Sequence, residues 1–172
     1  ALNQLGYKVK KIKVSSNIKS FTLSLKNFKP NIVFNALHGT FGEDGTVQKI
    51  LKNLNFSYTH SDVQTSKIAM DKNKSKILFE KLKIPNPKSI VVKKSNINQY
   101  LKKIPFPFPM VIKPVSEGSS VGVKICKNLN QLKKYKMLKS KKYLIEEFIF
   151  GRELTVGIMN NRVMDVIELK TK

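Results

Sequence analysis

The sequence predicts an α/β unit followed by a smaller α+β module. Three observations point there. A mostly apolar run at residues 31 to 37 ends in a glycine-rich loop and is followed by helical spacing; Pro85 and Pro87 then close a run of helices; beyond them lie short apolar stretches broken by turn residues.

Residues 1 to 9, ALNQLGYKV, read as a helix end passing through Gly6 into a strand. NIVFNAL at 31 to 37 has the character of a buried parallel strand. HGTFGEDG at 38 to 45 follows at its C-terminal edge, where open α/β sheets bind ligands. From Thr46 onward, Val47, Ile50, Leu51 and Leu54 fall on one helical face. SDVQ at 61 to 64 predicts a capping box and a short helix through Ala69. Another helix starts near Asp71, carries Ile77, Leu78 and Leu82, and stops at the two prolines. KSIVV then predicts a strand, NINQYLKKI a short helix and PFPFP a stiff connection, and MVIK and VGVKIC predict two strands joined by a Ser- and Gly-rich loop. LNQLKKYKML predicts a helix and KYLIEEFI a strand. GRELTVGIM and VMDVIELK predict a hairpin, because Asn160 and Asn161 tolerate the left-handed conformations of a tight turn. The division expected is 1 to 70, 71 to 150 and 151 to 172; with its first element cut short and its last strand leaving an open edge, the chain reads as a fragment.

With 172 residues and 41% hydrophobic content the chain can bury a core. No apolar run approaches the roughly 18 residues of a membrane span, no signal segment opens the chain, and a cytoplasmic location is expected. A single cysteine, Cys126, excludes an internal disulfide, and with His38 and His60 alone beside it a structural zinc site is not expected. The net charge of +22 suggests a polyanion partner. Yet all the basic residues but Arg152 and Arg162 are lysine, whereas nucleic-acid readers favour the arginine fork. Lys, Asn and Ile share A- and T-rich codons, so the charge reads as a solvated background. A non-catalytic basic module remains the alternative, and it requires binding that falls steeply with salt.

MVIKPVSEGSSVGV at 110 to 123 is the stretch richest in chemistry. A Walker loop needs its lysine after the glycines and a helix next; here Lys113 precedes the loop and a strand follows. A flexible flap between antiparallel strands fits better, closing over phosphates while Lys113 reaches them and Ser119 and Ser120 donate. An ordinary exposed hairpin fits the loop equally well. In YLIEEFIFGRE, 143 to 153, strand alternation turns either Glu146 or Glu147 inward, where a lysine or an adenine amino group would partner it. Backbone around Phe148 and Ile149 offers an adenine edge, and Glu153 lies at ribose distance; solvated glutamates are the alternative. Lys72, in a first helical turn, is disfavoured by the macrodipole unless an anion binds. His38 is placed to donate to an anionic substrate or to be incidental.

VFNALHGTFGEDGTVQ, AMDKNKSKILFEKLKIPNP, MVIKPVSEGSSVGV and LIEEFIFGRELTVGIM, in this order, closely resemble D-alanine–D-alanine ligases of the ATP-grasp superfamily, from about residue 31 to residue 170. The resemblance implies a partial Rossmann-like pre-ATP-grasp domain, then the small module of an ATP-grasp fold and the start of its second module, the modules clamping ATP. It implies that Lys72 and Lys113 hold the phosphates, with Ser120 beside them. Ser119 and His38 become the substrate-orienting residues. Glu146, the backbone of Glu147, Phe148 and Ile149, and Glu153 become adenine and ribose contacts. The implied reaction phosphorylates one D-alanine with ATP and joins it to a second, with Mg2+ assisting, in a cytoplasmic homodimer with no nucleic-acid or membrane partner. No carboxylate here matches a metal ligand of the family, and with half of the clamp and its Mg2+ site expected outside these residues the chain alone is expected to be inactive and poorly stable. A D-alanine–D-lactate ligase is the close alternative.

Overall fold

The computed structural model describes residues 1–14, 17–93, 95, 97–101, 103–136 and 142–170. Parts of two expected helices, at residues 96 and 102 and at 137 and 138, lie outside the described residues. By contact the chain divides into two compact units, Ala1–Ile84 with Pro114–Gly122, and Pro85–Lys113 with Val123–Lys172.

In the first unit, a 3-10 turn at Asn3–Leu5 ends on Gly6 with φ 82°, but among the described residues 7–14 the strand expected after it does not form. A helix that sequence reasoning passed over, α1 (Ile18–Phe28), is capped by the Asn17 side chain, which accepts from Ser20 N. It buries Phe21 and Leu25, one turn apart, against Val47 and Leu51 of α2 (Thr46–Asn53). The ring edge of Phe21 meets Phe41 at a centroid distance of 6.5 Å.

The strand expected over 31 to 37 is confined to β1 (Ile32–Val33), paired in parallel with β2 (Ser57–Tyr58). It stops there because Asn35 leaves the ladder: its N–H donates to Thr59 Oγ1, and its side-chain oxygen accepts from Leu37 N. The run is not buried either, since Ile32 and Phe34 are exposed. Helix α3 (Val63–Met70) is capped by Asp62, accepting from Thr65 N at 2.7 Å, and not by Ser61 as the capping-box reading expected. Asp71 caps α4 (Lys72–Lys81), accepting from Asn73 N and Lys74 N.

The second unit is built on a four-stranded sheet in the order β3 (Ser89–Lys93), β6 (Lys142–Glu147), β4 (Met110–Pro114), β5 (Lys124–Cys126). The β3–β6 and β4–β5 pairs are antiparallel. Two short helices, α5 (Ile97–Tyr100) and α6 (Leu129–Lys133), accompany it. Val92, Phe106, Met110, Ile112, Cys126, Leu132, Tyr143 and Ile145 form the core. Burial pushes the Cys126 thiol up, which suits a packing residue and not a nucleophile. The Tyr135 hydroxyl is likewise pushed up to about 12 by burial, with its ring edge-on to Tyr143. The hairpin forms as expected: β7 (Glu153–Met159) pairs with β8 (Arg162–Leu169) across Asn160 and Asn161, at φ 49° and 62°. Among the described residues it pairs with no other strand, and its residues are exposed on both faces.

Candidate functional site

The 38 to 45 loop is braced by its own polar residues. Buried Asn35 and Gln48 both donate their side-chain amides to the carbonyl of Gly42, at 2.9 and 2.8 Å. Gly42 must be glycine, because a Cβ there would stand 2.8 Å from the Leu37 carbonyl carbon. Asp44 accepts from Phe41 N at 3.0 Å and Thr46 N at 2.9 Å, tying the loop to the start of α2. Glu43 Oε2 accepts from Gly39 N, while its Oε1 stands 4.0 Å from His38 Nδ1. His38 is therefore an exposed side chain on a heavily cross-linked platform.

Asp44 carries a pH dependence. Burial raises its carboxyl, but the N–H groups of Phe41 and Thr46 outweigh that and hold it below its ordinary value. A depressed folded-state pKa contributes stability above the unfolded value of about 4, and this contribution is lost as pH falls through the folded value. Asp44→Asn is therefore expected to melt below the parent protein at pH 7, with the gap closing below about pH 4. Melting curves from pH 7 to pH 2 check this; a gap that stays constant would contradict it.

Within the same unit, the backbone N–H of Lys72 donates to Val115 O at 3.0 Å and its Nζ to Glu117 O at 2.6 Å. A carbonyl thus meets the cation in the first turn of α4, where an anion was expected. The loop reverses through Ser119 and Ser120, both exposed and both left-handed, at φ 48° and 56°. Two consecutive non-glycine residues in that region are strained by about 1 kcal/mol each.

In the second unit, β6 turns Glu146 inward, where 7% of it is exposed and its Oε1 is ion-paired with Lys113 Nζ. Of the two partners considered for that carboxylate, a lysine or an adenine, this structure has the lysine. Glu147, on the opposite face, exchanges bonds with Lys88: Glu147 N donates to Lys88 O and Lys88 N to Glu147 Oε1. Phe148 N donates to Pro109 O at 3.3 Å, and its ring meets Phe150 edge-on. Ile149 and Glu153 are exposed, the latter opposite Leu169 in the hairpin. His38, Lys72, Ser119 and Ser120 thus belong to the first unit, and Lys113, Glu146 through Ile149 and Glu153 to the second. Sequence reasoning missed Asn35, Glu43, Asp44 and Gln48; two amides and two acids flanking three glycines were the signal.

Models of two families match, the D-ala D-ala ligase N-terminus over residues 3–61 and the D-ala D-ala ligase C-terminus over residues 78–172. The chain is 49% identical to a D-alanine–D-alanine ligase of Pelagibacter ubique, covering 97% of this chain and 55% of that protein. It is 40% identical to one of Rhodospirillum rubrum, covering 99% and 57%. It therefore spans about half the length of these curated relatives. Among solved structures, D-alanine–D-alanine ligase of Bacillus anthracis complexed with ATP superposes with a TM-score of 0.75 at 32% identity, over 95% of this chain and 55% of that one. The VanG D-Ala:D-Ser ligase of Enterococcus faecalis gives 0.69 at 30%, over 80% and 43%.

Proposed function

The chain belongs to the D-alanine–D-alanine ligase family, and from that premise we propose that it is the phosphate-lid and first-substrate portion of an ATP-dependent ligase joining two D-alanines. One observation carries the reading: the two family matches take in the His38 loop, Lys113, the loop serines and the Glu146 to Glu153 stretch in one chain order.

In this reading a carboxylate oxygen of one D-alanine attacks the γ-phosphorus of ATP, the bond to ADP breaks, and an acyl phosphate forms. The amine of the second D-alanine attacks the acyl carbon, loses a proton, and phosphate leaves. The chain's own residues work by positioning and by meeting negative charge. Lys72 and Lys113 hold phosphates, with Ser120 and backbone N–H groups of the same loop. His38 and Ser119 orient the first D-alanine. Glu146, the backbone of Glu147 through Ile149, and Glu153 receive adenine and ribose.

Mg2+ would neutralise charge on the transferred phosphoryl group. Among the described residues no three His, Cys, Asp or Glu side chains converge as cation ligands. The carboxylates of the described residues therefore do not fit a Mg2+ site. Among the described residues, too, no helix is long and apolar enough to cross a membrane. We place the full-length protein in the cytoplasm as a homodimer supplying dipeptide for peptidoglycan precursors. A second reading has D-lactate or another D-amino acid as second substrate, and the likeness to the VanG D-Ala:D-Ser ligase supports the D-amino acid form of it.

The test is D-alanine-dependent release of ADP and phosphate by the full-length protein, with the dipeptide identified by mass spectrometry. Equal ADP release with and without D-alanine would remove the ligase reading. D-serine or D-lactate outcompeting D-alanine at the second position would select the alternative.

A further inference from the structure

We propose that Glu43 is a positioning residue for the first amino-acid substrate, its carboxylate bracing the His38–Gly39 backbone on one side and seating the Gly118–Ser119 turn on the other. The proposal rests on the ligase reading and deepens it. Glu43 has no role in the sequence reading, and four contacts within the first unit give it one. Gly39 N donates to Glu43 Oε2, and Glu43 N donates back to Gly39 O at 2.9 Å, closing the loop across four residues. Its second oxygen faces His38 Nδ1 at 4.0 Å, beyond hydrogen-bond length but within ion-pair range. A Cβ placed on Gly118 would lie 3.4 Å from Glu43 Oε2 and 3.5 Å from Gly39 Cα, so the turn passes within one methyl group of the brace. Ser119 follows directly, in its left-handed conformation.

A single carboxylate thus sets the places of the imidazole and of the turn that presents the Ser119 hydroxyl. A carboxylate facing Nδ1 leaves Nε2 as the nitrogen turned to a substrate. Its loss would displace His38 and Ser119 together, and the binding of the substrate that needs both would suffer more than the binding of nucleotide.

The experiment compares Glu43→Ala and Glu43→Gln with the parent in the full-length protein. It measures KM for D-alanine, KM for ATP, kcat, and hydrogen exchange at residues 38–43 and 115–121. Glu43→Ala is expected to raise the first D-alanine KM about tenfold, the size of one net hydrogen bond, with the ATP KM within about twofold. Both segments are expected to lose exchange protection. Glu43→Gln, which keeps an oxygen for Gly39 N–H, is expected to recover most of the loss. A D-alanine KM within about twofold of the parent in both variants, or an equal rise in both KM values, overturns the proposal. Unchanged exchange at 115–121 in Glu43→Ala overturns it too, whatever the kinetics. A parent protein without D-alanine-dependent turnover overturns the ligase reading instead, and exchange then still decides whether Glu43 is the brace.

Discussion

Lys113→Ala is expected to lower stability by about 3 kcal/mol and to cut ATP-dependent turnover of the full-length protein by about a hundredfold to a thousandfold. The two losses have different origins. Removing the lysine leaves the Glu146 carboxylate, 7% exposed, without its cation in the interior of the sheet. The turnover loss belongs to the proposed ligase reading, in which Lys113 holds the transferred phosphates. Lys113→Met combined with Glu146→Leu separates them, because an apolar pair of similar volume tolerates the site where a lone charge does not. The double variant is expected to return to within about 1 kcal/mol of the parent in urea denaturation and to stay inactive. Parent-like stability of Lys113→Ala would show that the pair is not coupled to folding. Parent-like turnover would remove Lys113 from the site.

Gly42→Ala is expected to cost about 3 kcal/mol, the upper end for forcing atoms into a packed site. The added methyl would meet the Leu37 backbone at 2.8 Å, and relief requires moving residue 42, whose own carbonyl is held by two buried amides. Gly39→Ala is the internal comparison: a Cβ there meets nothing within 4 Å, and φ 69° alone opposes it, by about 1 kcal/mol. Thermal melts of the two variants check the order. Similar midpoints would mean that crowding at residue 42 relaxes freely.

The strands of the second unit were legible because β-branched runs end at prolines, glycines or the Asn160–Asn161 pair, and each run is long enough to carry its own signal. Helix α1 was not, since its buried face amounts to Phe21 and Leu25 among serines and lysines. Strand β2 has two residues and no pattern to read. The overlong strand at 31 to 37 shows a local rule overridden: Phe34 and Leu37 continue the apolar run, but Asn35 diverts the backbone into side-chain bonds. In the site, the inward glutamate was legible from alternation, and which glutamate it is was not. Glu43 could not be assigned from its own neighbourhood, because half of its role lies against Gly118, far along the chain. The hold on Lys72 was equally hidden, since its partner is a backbone carbonyl, which any residue at 117 would supply.

The Lys113–Glu146 pair has a further consequence, for how β6 chooses its alignment. Tyr143, Leu144 and Ile145 are all fully buried, so hydrophobicity does not distinguish one face of this strand from the other. Adjacent glutamates only partly remove the ambiguity, for a slip of one residue in one direction puts Glu147 in the place of Glu146, and in the other puts Ile145 there. The slip to Ile145 leaves Lys113, on the neighbouring strand, without its carboxylate, and the slip to Glu147 leaves Lys88 N without the oxygen it donates to on the opposite face. The ion pair and the Lys88 bond together, each excluding one slip, are the key that fixes the register of an otherwise slippery strand.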